Sequence, residues 1–570
     1  MTTFAANMDG IKKVSEGRNP IIAGFNPDPS ICRRGDVYYC ATSSFQWWPG
    51  VPIYESRDLH NWKLAGYGLT DPKACNLYRI DDSGGVWAPC LSYADGLFWL
   101  VFSVTNTSRQ HTYECRNYLS TAEDPRGPWS KPVYLNATGN DASLFHDVDG
   151  RKWLTNTHQL KSSGLVGHAG ILLQEYDPAK KCLIGLPQDI FMRNQSMIPE
   201  GSKLHRHGDY YHLVVAEGGT EYGHMMTMAR ARDLHGPYEV HPENPVLTAV
   251  GDPENPIQRA GHGDLVELDD GQVAVVYLAS RPVERHSVLG RETFLAKARW
   301  CEDGWLRMDS SVPESALPEF GLSKKTVQRL PDFDDFTGPD LLPYWNSLRR
   351  PCDQVVDLKT RPGWLRLKGT PSYLDSREDV ALIARRVEHH IFSAETCLEF
   401  NPLYLEQLAG LVCYYDSRRF YWLAKQWEYE SGDFLALYGK GGVHSDETKQ
   451  LALVPVPRGD LLRLGVDCDG RSLRFRFSVG LDGDWQSIGG PVSALILSDE
   501  EVETNDPSPS CGFTGAMIGL AAYDITDYGP EAAFDWFDYR PEENAWPGFL
   551  DQMSHSLPVR NHGQKVESVL

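Results

Sequence analysis

DPSICRRGDVYYC, running from Asp28 to Cys40, decides the fold, because four more copies of its grammar follow it. They are APCLSYADGLFWL from Ala88, DASLFHDVDGRKWL from Asp141, EGSKLHRHGDYYHL from Glu200 and HGDLVELDDGQVAV from His262, with successive starts 60, 53, 59 and 62 residues apart. Each copy opens on a polar or small residue, reaches a Gly/Asp turn and continues into an aromatic or apolar run. That reads as strand, hairpin turn, strand. One sheet of this size cannot bury both of its faces alone, so the units must stack or close into a ring. Five four-stranded blades around a central channel meet that requirement.

If the first strand of each blade lines the channel, equivalent positions from different blades converge on one end of it. Three openings are acidic, Asp28, Asp141 and Glu200; the others are Ala88, directly after Trp87, and His262. Taken singly, Asp28-Pro29 is ordinary turn chemistry and Glu200-Gly201 says no more. Acids at the same position of three copies are harder to read as three independent turns. Carboxylates, an indole and an imidazole around one pocket suit glycoside cleavage, which needs one protonated and one ionised carboxyl group beside the scissile bond. Crowding the acids raises the proton affinity of at least one of them.

A chain of 570 residues is too long for a single core, and a five-bladed unit uses about 300 of them. The 16 Trp and 26 Tyr suit sheets and sugar-stacking surfaces alike, and a Trp in excess is more often blade core than ligand platform. A formal charge of −22 argues against nucleic acid or an anionic membrane as partner, since both rely on clustered Lys and Arg. No run of 18 apolar residues is present to span a bilayer, and the opening MTTFAANMDGIKKVSEGRNP has no apolar signal region. The 12 cysteines lack paired spacing, which favours small apolar fillers in a reducing compartment. The expected location is the cytoplasm, with secretion left open.

Past the fifth copy the repeat stops. A linker mixing Pro, Gly and charge is expected at 316–332, after a propeller at 19–315 and an N-terminal extension at 1–18. From Phe333 alternating runs such as WLRLKG, ETCLEF, GLVCYY and FTGAMIGLAAYD recur with turns between them. They predict an antiparallel, lectin-like β-sandwich over 333–541, followed by a polar tail at 542–570. The fold class is therefore all-β: a five-bladed β-propeller, then a β-sandwich that either binds sugar or buttresses the propeller rim.

Several segments together carry a resemblance: NPIIAGFNPDPSICRRGDVYYCATSSFQWWPGVPIYESRDLHNW, GGVWAPCLSYADGLFWLVFS, EDPRGPWSKPVYLN, DASLFHDVDGRKWL, VVAEGGTEYGHMMTMARA, GPYEV, GHGDLVE and LGRET. From about Asn19 to about Pro541 the chain resembles two-domain glycoside hydrolase family 43 enzymes of the β-xylosidase type. The resemblance implies that Asp28 is a general base activating water, Glu200 the general acid, and Asp141 the residue that orients Glu200 and tunes its pKa. It places Trp87, Thr220, His262 and Arg291 around the terminal sugar, Phe45 and Trp47 as an aromatic wall, and Phe513 as a closure supplied by the sandwich. It requires no cofactor, and allows a structural divalent cation, calcium, near His262, although imidazole is an unusual ligand for a hard cation. It implies a xylooligosaccharide or arabinoxylan-derived substrate and permits a homo-oligomer.

Two departures from the family bear on specificity. Cys90 stands where relatives usually carry a polar residue, which puts the subsite for the second sugar in question. The stretch from Arg281 to Leu289 is short, which suggests a more open pocket mouth. The leading expectation is an inverting exo-β-1,4-xylosidase, with an α-L-arabinofuranosidase or a bifunctional enzyme as runner-up and a non-catalytic glycan-binding propeller behind. A retaining fructan-cleaving propeller would need a nucleophile in an Asn-Asp-Pro-Asn-Gly context and an acid in Glu-Cys, and the chain has neither.

Overall fold

The computed structural model describes residues 18–106, 114–162, 165–192, 199–324, 330–441, 447–505 and 512–542. Apart from Arg18 and Glu542, the expected N-terminal extension and C-terminal tail lie outside the described residues, as do 325–329 of the expected linker.

The five copies become five antiparallel blades. Their innermost strands are Ser30–Arg34, Gly85–Ala94, Ser143–His146, Glu200–His207 and Gln258–Glu267, and each pairs outward with the strand that follows it. Neighbouring inner strands touch in order around the ring, and the fifth touches the first. The predicted turns are where the copies place them. Gly35-Asp36 joins Arg34 to Val37, Asp95-Gly96 joins Ala94 to Leu97, and Gly208-Asp209 joins His207 to Tyr210. At Asp95 and Gly96 both φ values are positive, 55° and 77°, the geometry that matches a tight hairpin to the twist of its strands.

The ring closes through backbone hydrogen bonds. Ile21 and Ile22 donate their backbone N–H groups to the Thr293 carbonyl, and Thr293 N–H returns to Ile22, so the segment before blade 1 is stitched onto blade 5.

The second domain is a sandwich of an eight-stranded and a nine-stranded sheet whose facing surfaces enclose Leu411, Leu423, Leu464, Phe475, Phe534 and their neighbours. The outer face of the eight-stranded sheet is covered too. Val412, Tyr414, Trp422 and Met517 pack there with Phe25, Phe45, Trp47 and Trp87 of the propeller. Two propeller residues, Trp47 and Trp48, even form the edge strand of this sheet by pairing with Leu348 and Ser347. The sandwich is therefore fused to the channel end of the propeller. Among the described residues no helix is long and apolar enough to cross a membrane.

Candidate active site

Each inner strand enters its blade through a residue in the left-handed region: Asp28 (φ 54°), Ala88 (36°), Asp141 (53°), Gly201 (61°) and His262 (45°). In blades 2, 4 and 5 the strand register also shifts at this point, between Trp87 and Cys90, between Glu200 and Lys203, and between Gln258 and Gly263. A bulge re-aims side chains, and strained backbone of this kind gathers at functional sites. Here it turns the opening residue of each copy toward the channel end.

The acids occupy distinct environments. Ser43 Oγ lies 2.5 Å from Asp28 Oδ2, and the Ala88 N–H donates to Ser43 Oγ at 2.7 Å, which leaves the hydroxyl proton for Asp28. His262 Nδ1 and Arg291 Nη1 each approach Asp28 Oδ1 to 3.5 Å. Burial pushes the Asp28 carboxyl up, but Arg291, His262 and the Ser43 hydrogen bond together hold it below its ordinary value. Glu200 is moved the opposite way. Burial, then the negative charges of Asp141 and Asp28, raise it well above the usual carboxylate range, and Arg291 offsets this only in part. Asp141 accepts the Gly201 N–H at Oδ2, 3.2 Å, beside the peptide of Glu200, and its own pKa is raised by burial against the opposing pull of His262.

Two imidazoles complete the polar floor. Burial lowers His262, partly countered by Asp28 and Asp141, and burial with His262 and Arg291 nearby lowers His224 to about 3. His224 is therefore neutral at pH 7, and His262 is biased the same way. Each leaves a buried Nε2 without a hydrogen-bond partner, yet among the described residues no three His, Cys, Asp or Glu side chains converge on one point. That donor set does not fit a protein-built calcium site.

The wall is aromatic. Trp87 meets Phe513 edge to face, with centroids 5.1 Å apart, and Phe45 lies 6.2 Å from Trp87 and 5.9 Å from Phe513. The Arg291 guanidinium sits 5.2 Å from the Phe513 ring, and its Nη2 donates to the Phe513 carbonyl. Trp47 is placed differently from the expectation: its ring is fully buried and packs edge-on to Tyr414 of the sandwich, behind the wall. Cys90 also points elsewhere, into the apolar core shared with Trp99, Ala142 and Leu144, so its thiol fills a gap between blades 2 and 3.

Thr220 is half-buried, and its carbonyl accepts from Arg259 Nε at 2.9 Å. Sequence reasoning missed Arg259. Its guanidinium is fully buried against three acids of the sandwich helix Asp499–Asn505: Asp499 at 3.2 Å, Glu500 at 3.0 Å and Glu503 at 3.0 Å. Glu500 also accepts from the Ser287 N–H and hydroxyl. The short stretch from Arg281 to Leu289 is thereby pinned by the second domain.

One glycine gives a local test. A Cβ on Gly201 would sit 2.8 Å from His262 Nε2, and the positive φ adds strain. Gly201→Ala should destabilise the protein by about 1–3 kcal/mol, the usual range for overpacking. It should also lower kcat by displacing the Asp141 acceptor, which Tm and initial rates together would read.

Glycosyl hydrolases family 43 matches residues 17–306, and the Beta xylosidase C-terminal Concanavalin A-like domain matches 333–540. The Bacillus subtilis (strain 168) beta-xylosidase is 36% identical, over 92% of this chain and 99% of its own. Xylosidase/arabinosidase 43B of Humicola insolens is 37% identical, over 92% of this chain and 98% of its own. The crystal structure of xylan beta-1,4-xylosidase from Bacillus halodurans C-125 superposes with a TM-score of 0.88 at 38% identity, covering 92% and 99% of the two chains.

Proposed function

The chain belongs to glycosyl hydrolase family 43, and from that premise we propose that it is an inverting, exo-acting β-xylosidase releasing xylose from the non-reducing ends of β-1,4-xylooligosaccharides. One observation carries the reading: two carboxyl groups that share a pocket are pushed in opposite directions, Asp28 down and Glu200 up. That ordering makes Asp28 the carboxyl that ionises readily and Glu200 the one that holds its proton, the division of labour that single displacement at an anomeric carbon requires. Asp28 takes a proton from water as that water attacks, and Glu200 gives its proton to the departing glycosidic oxygen. Asp141 holds the Gly201 N–H and supplies the negative charge that keeps Glu200 protonated. Arg291 presents a fork of donors suited to sugar hydroxyls. The Trp87 and Phe513 rings, drawn from two domains, close one end of the pocket, which favours attack at a chain terminus.

The runner-up, an α-L-arabinofuranosidase, is supported by the relative named xylosidase/arabinosidase. Initial rates on aryl β-D-xylopyranoside and aryl α-L-arabinofuranoside, with the product anomer read by NMR, decide between them. Faster xyloside cleavage giving α-xylose supports the proposal; preference for the arabinoside replaces it with the runner-up. The pH profile of kcat/KM should be a bell. Its acidic limb, from Asp28, should fall below the ordinary carboxylate range, and its alkaline limb, from Glu200, well above it. Both limbs inside the ordinary range would undo the role assignment.

A further inference from the structure

Ser83 lies in the connection between blades 1 and 2, is 2% exposed and carries a left-handed φ of 58°. It is neither an acid nor a wall residue, yet three of its groups each hold a different part of the site. Its N–H donates to Gln46 Oε1 at 3.0 Å, which ties it to the loop that carries Phe45. Its carbonyl accepts the Trp87 Nε1–H at 2.9 Å. Its hydroxyl accepts the Phe513 N–H at 3.1 Å, across the junction of the two domains.

The backbone of Phe513 is thus held on both sides, its N–H by Ser83 and its carbonyl by Arg291 Nη2 at 3.1 Å. The neighbouring backbone is a tight slot. A Cβ on Gly290 would stand 2.1 Å from the Thr514 carbonyl oxygen, one on Gly515 would stand 2.7 Å from that of Leu289, and the Ala516 N–H donates to Val288. The slot sets how deep the segment before the strand Met517–Asp524 lies. Ser83 adds the one polar contact in this set that ties the Phe513 peptide to the same residue that fixes the Trp87 indole.

We propose that Ser83 is a positioning residue of the sugar pocket: it fixes Trp87 against Phe513 and, through the Phe513 peptide, the Arg291 fork. This rests on the reading that the pocket takes a terminal sugar. Losing the hydroxyl leaves a half-buried N–H without its acceptor, an unfavourable state that the Phe513 backbone relieves by moving. A misplacement of about 1 Å in such a wall can cost up to about 100-fold in rate.

Ser83→Ala removes the hydroxyl, and Ser83→Gly removes it while relieving the positive φ, so a loss common to both belongs to the hydroxyl. Both should lower kcat/KM on the aryl glycoside about 10- to 100-fold and weaken inhibition by free xylose in parallel. In a Phe513→Ala background, Ser83→Ala should add less than about twofold, because contacting residues are not additive. An equal loss in that background, or wild-type xylose inhibition in both Ser83 variants, overturns the proposal. Hydrogen exchange of residues 512–517, followed by mass spectrometry, reads the geometry without turnover. Faster exchange in Ser83→Ala is expected, and unchanged protection overturns the role. A wild type that cleaves no glycoside would defeat the functional reading alone, since the exchange result would still decide this one.

Discussion

Glu200→Gln should lower kcat/KM on xylooligosaccharides by about 10²–10⁴-fold, the usual worth of a positioned general acid. The substitution keeps the shape of the side chain and removes the acidic proton that Glu200 would donate. The loss should therefore depend on the leaving group. A sugar alkoxide cannot depart unprotonated, whereas an activated aryloxide can, so the deficit should shrink steadily as the leaving-group pKa falls. Asp28→Asn should behave differently. It removes the group that activates water, and every leaving group should suffer alike. A plot of log kcat/KM against leaving-group pKa for the wild type and both variants separates the roles. A deficit in Glu200→Gln that ignores the leaving group would take the acid role away from Glu200. The alkaline limb of the pH profile should vanish in that variant as well, because it reports the proton that burial, Asp141 and Asp28 hold on Glu200.

The propeller was legible because its repeat is written in turn chemistry. Gly35-Asp36, Asp95-Gly96 and Gly208-Asp209 announce hairpins through residues that tolerate positive φ. The acids were legible through register. A further signal went unused: Asp is among the few side chains that tolerate the left-handed region, and both Asp28 and Asp141 adopt it. Trp47, which the family resemblance placed in the wall beside Phe45, sits elsewhere for a local reason. Phe45 and Trp47 are two apart and would share a face of a regular strand, but Phe45 has a φ of 50°, which breaks the alternation. Trp47 then joins the sheet of the other domain. Ser43, Ser83 and Arg259 left no trace in the sequence, because each acts through a partner far along the chain. Spacing within a strand carries no information about such pairs. The sandwich was legible as alternating strands, but which of its faces meets the propeller depends on side chains brought together only by the fold.

Arg259→Met should be the most damaging single change at the domain junction, destabilising the protein by about 3–5 kcal/mol, the range for breaking a buried ion pair from one side. The argument turns on what is left behind. Asp499 is fully buried, Glu500 and Glu503 are half-buried, and all three point at one guanidinium. Even with Arg259 present, burial and the neighbouring acids raise Asp499 to about 8 and Glu503 to about 7. Carboxyls raised in the folded state cost stability once the unfolded chain ionises. The cost is absent below about pH 4, accrues as pH rises, and is complete above the folded values. Removing the cation raises those values further, so the deficit of Arg259→Met should grow toward alkaline pH and shrink in acid, where the acids are neutral. Denaturant unfolding at pH 5 and pH 8.5 reads that slope directly. Arg259 also holds the Thr220 carbonyl, and Glu500 holds Ser287, so activity at pH 8.5 should fall before the sandwich unfolds. A pH-independent loss would mean that Arg259 contributes packing and not charge. Triple replacement of Asp499, Glu500 and Glu503 by Asn, Gln and Gln in the Arg259→Met chain should recover part of the stability, because it removes the uncompensated charges that the single substitution strands.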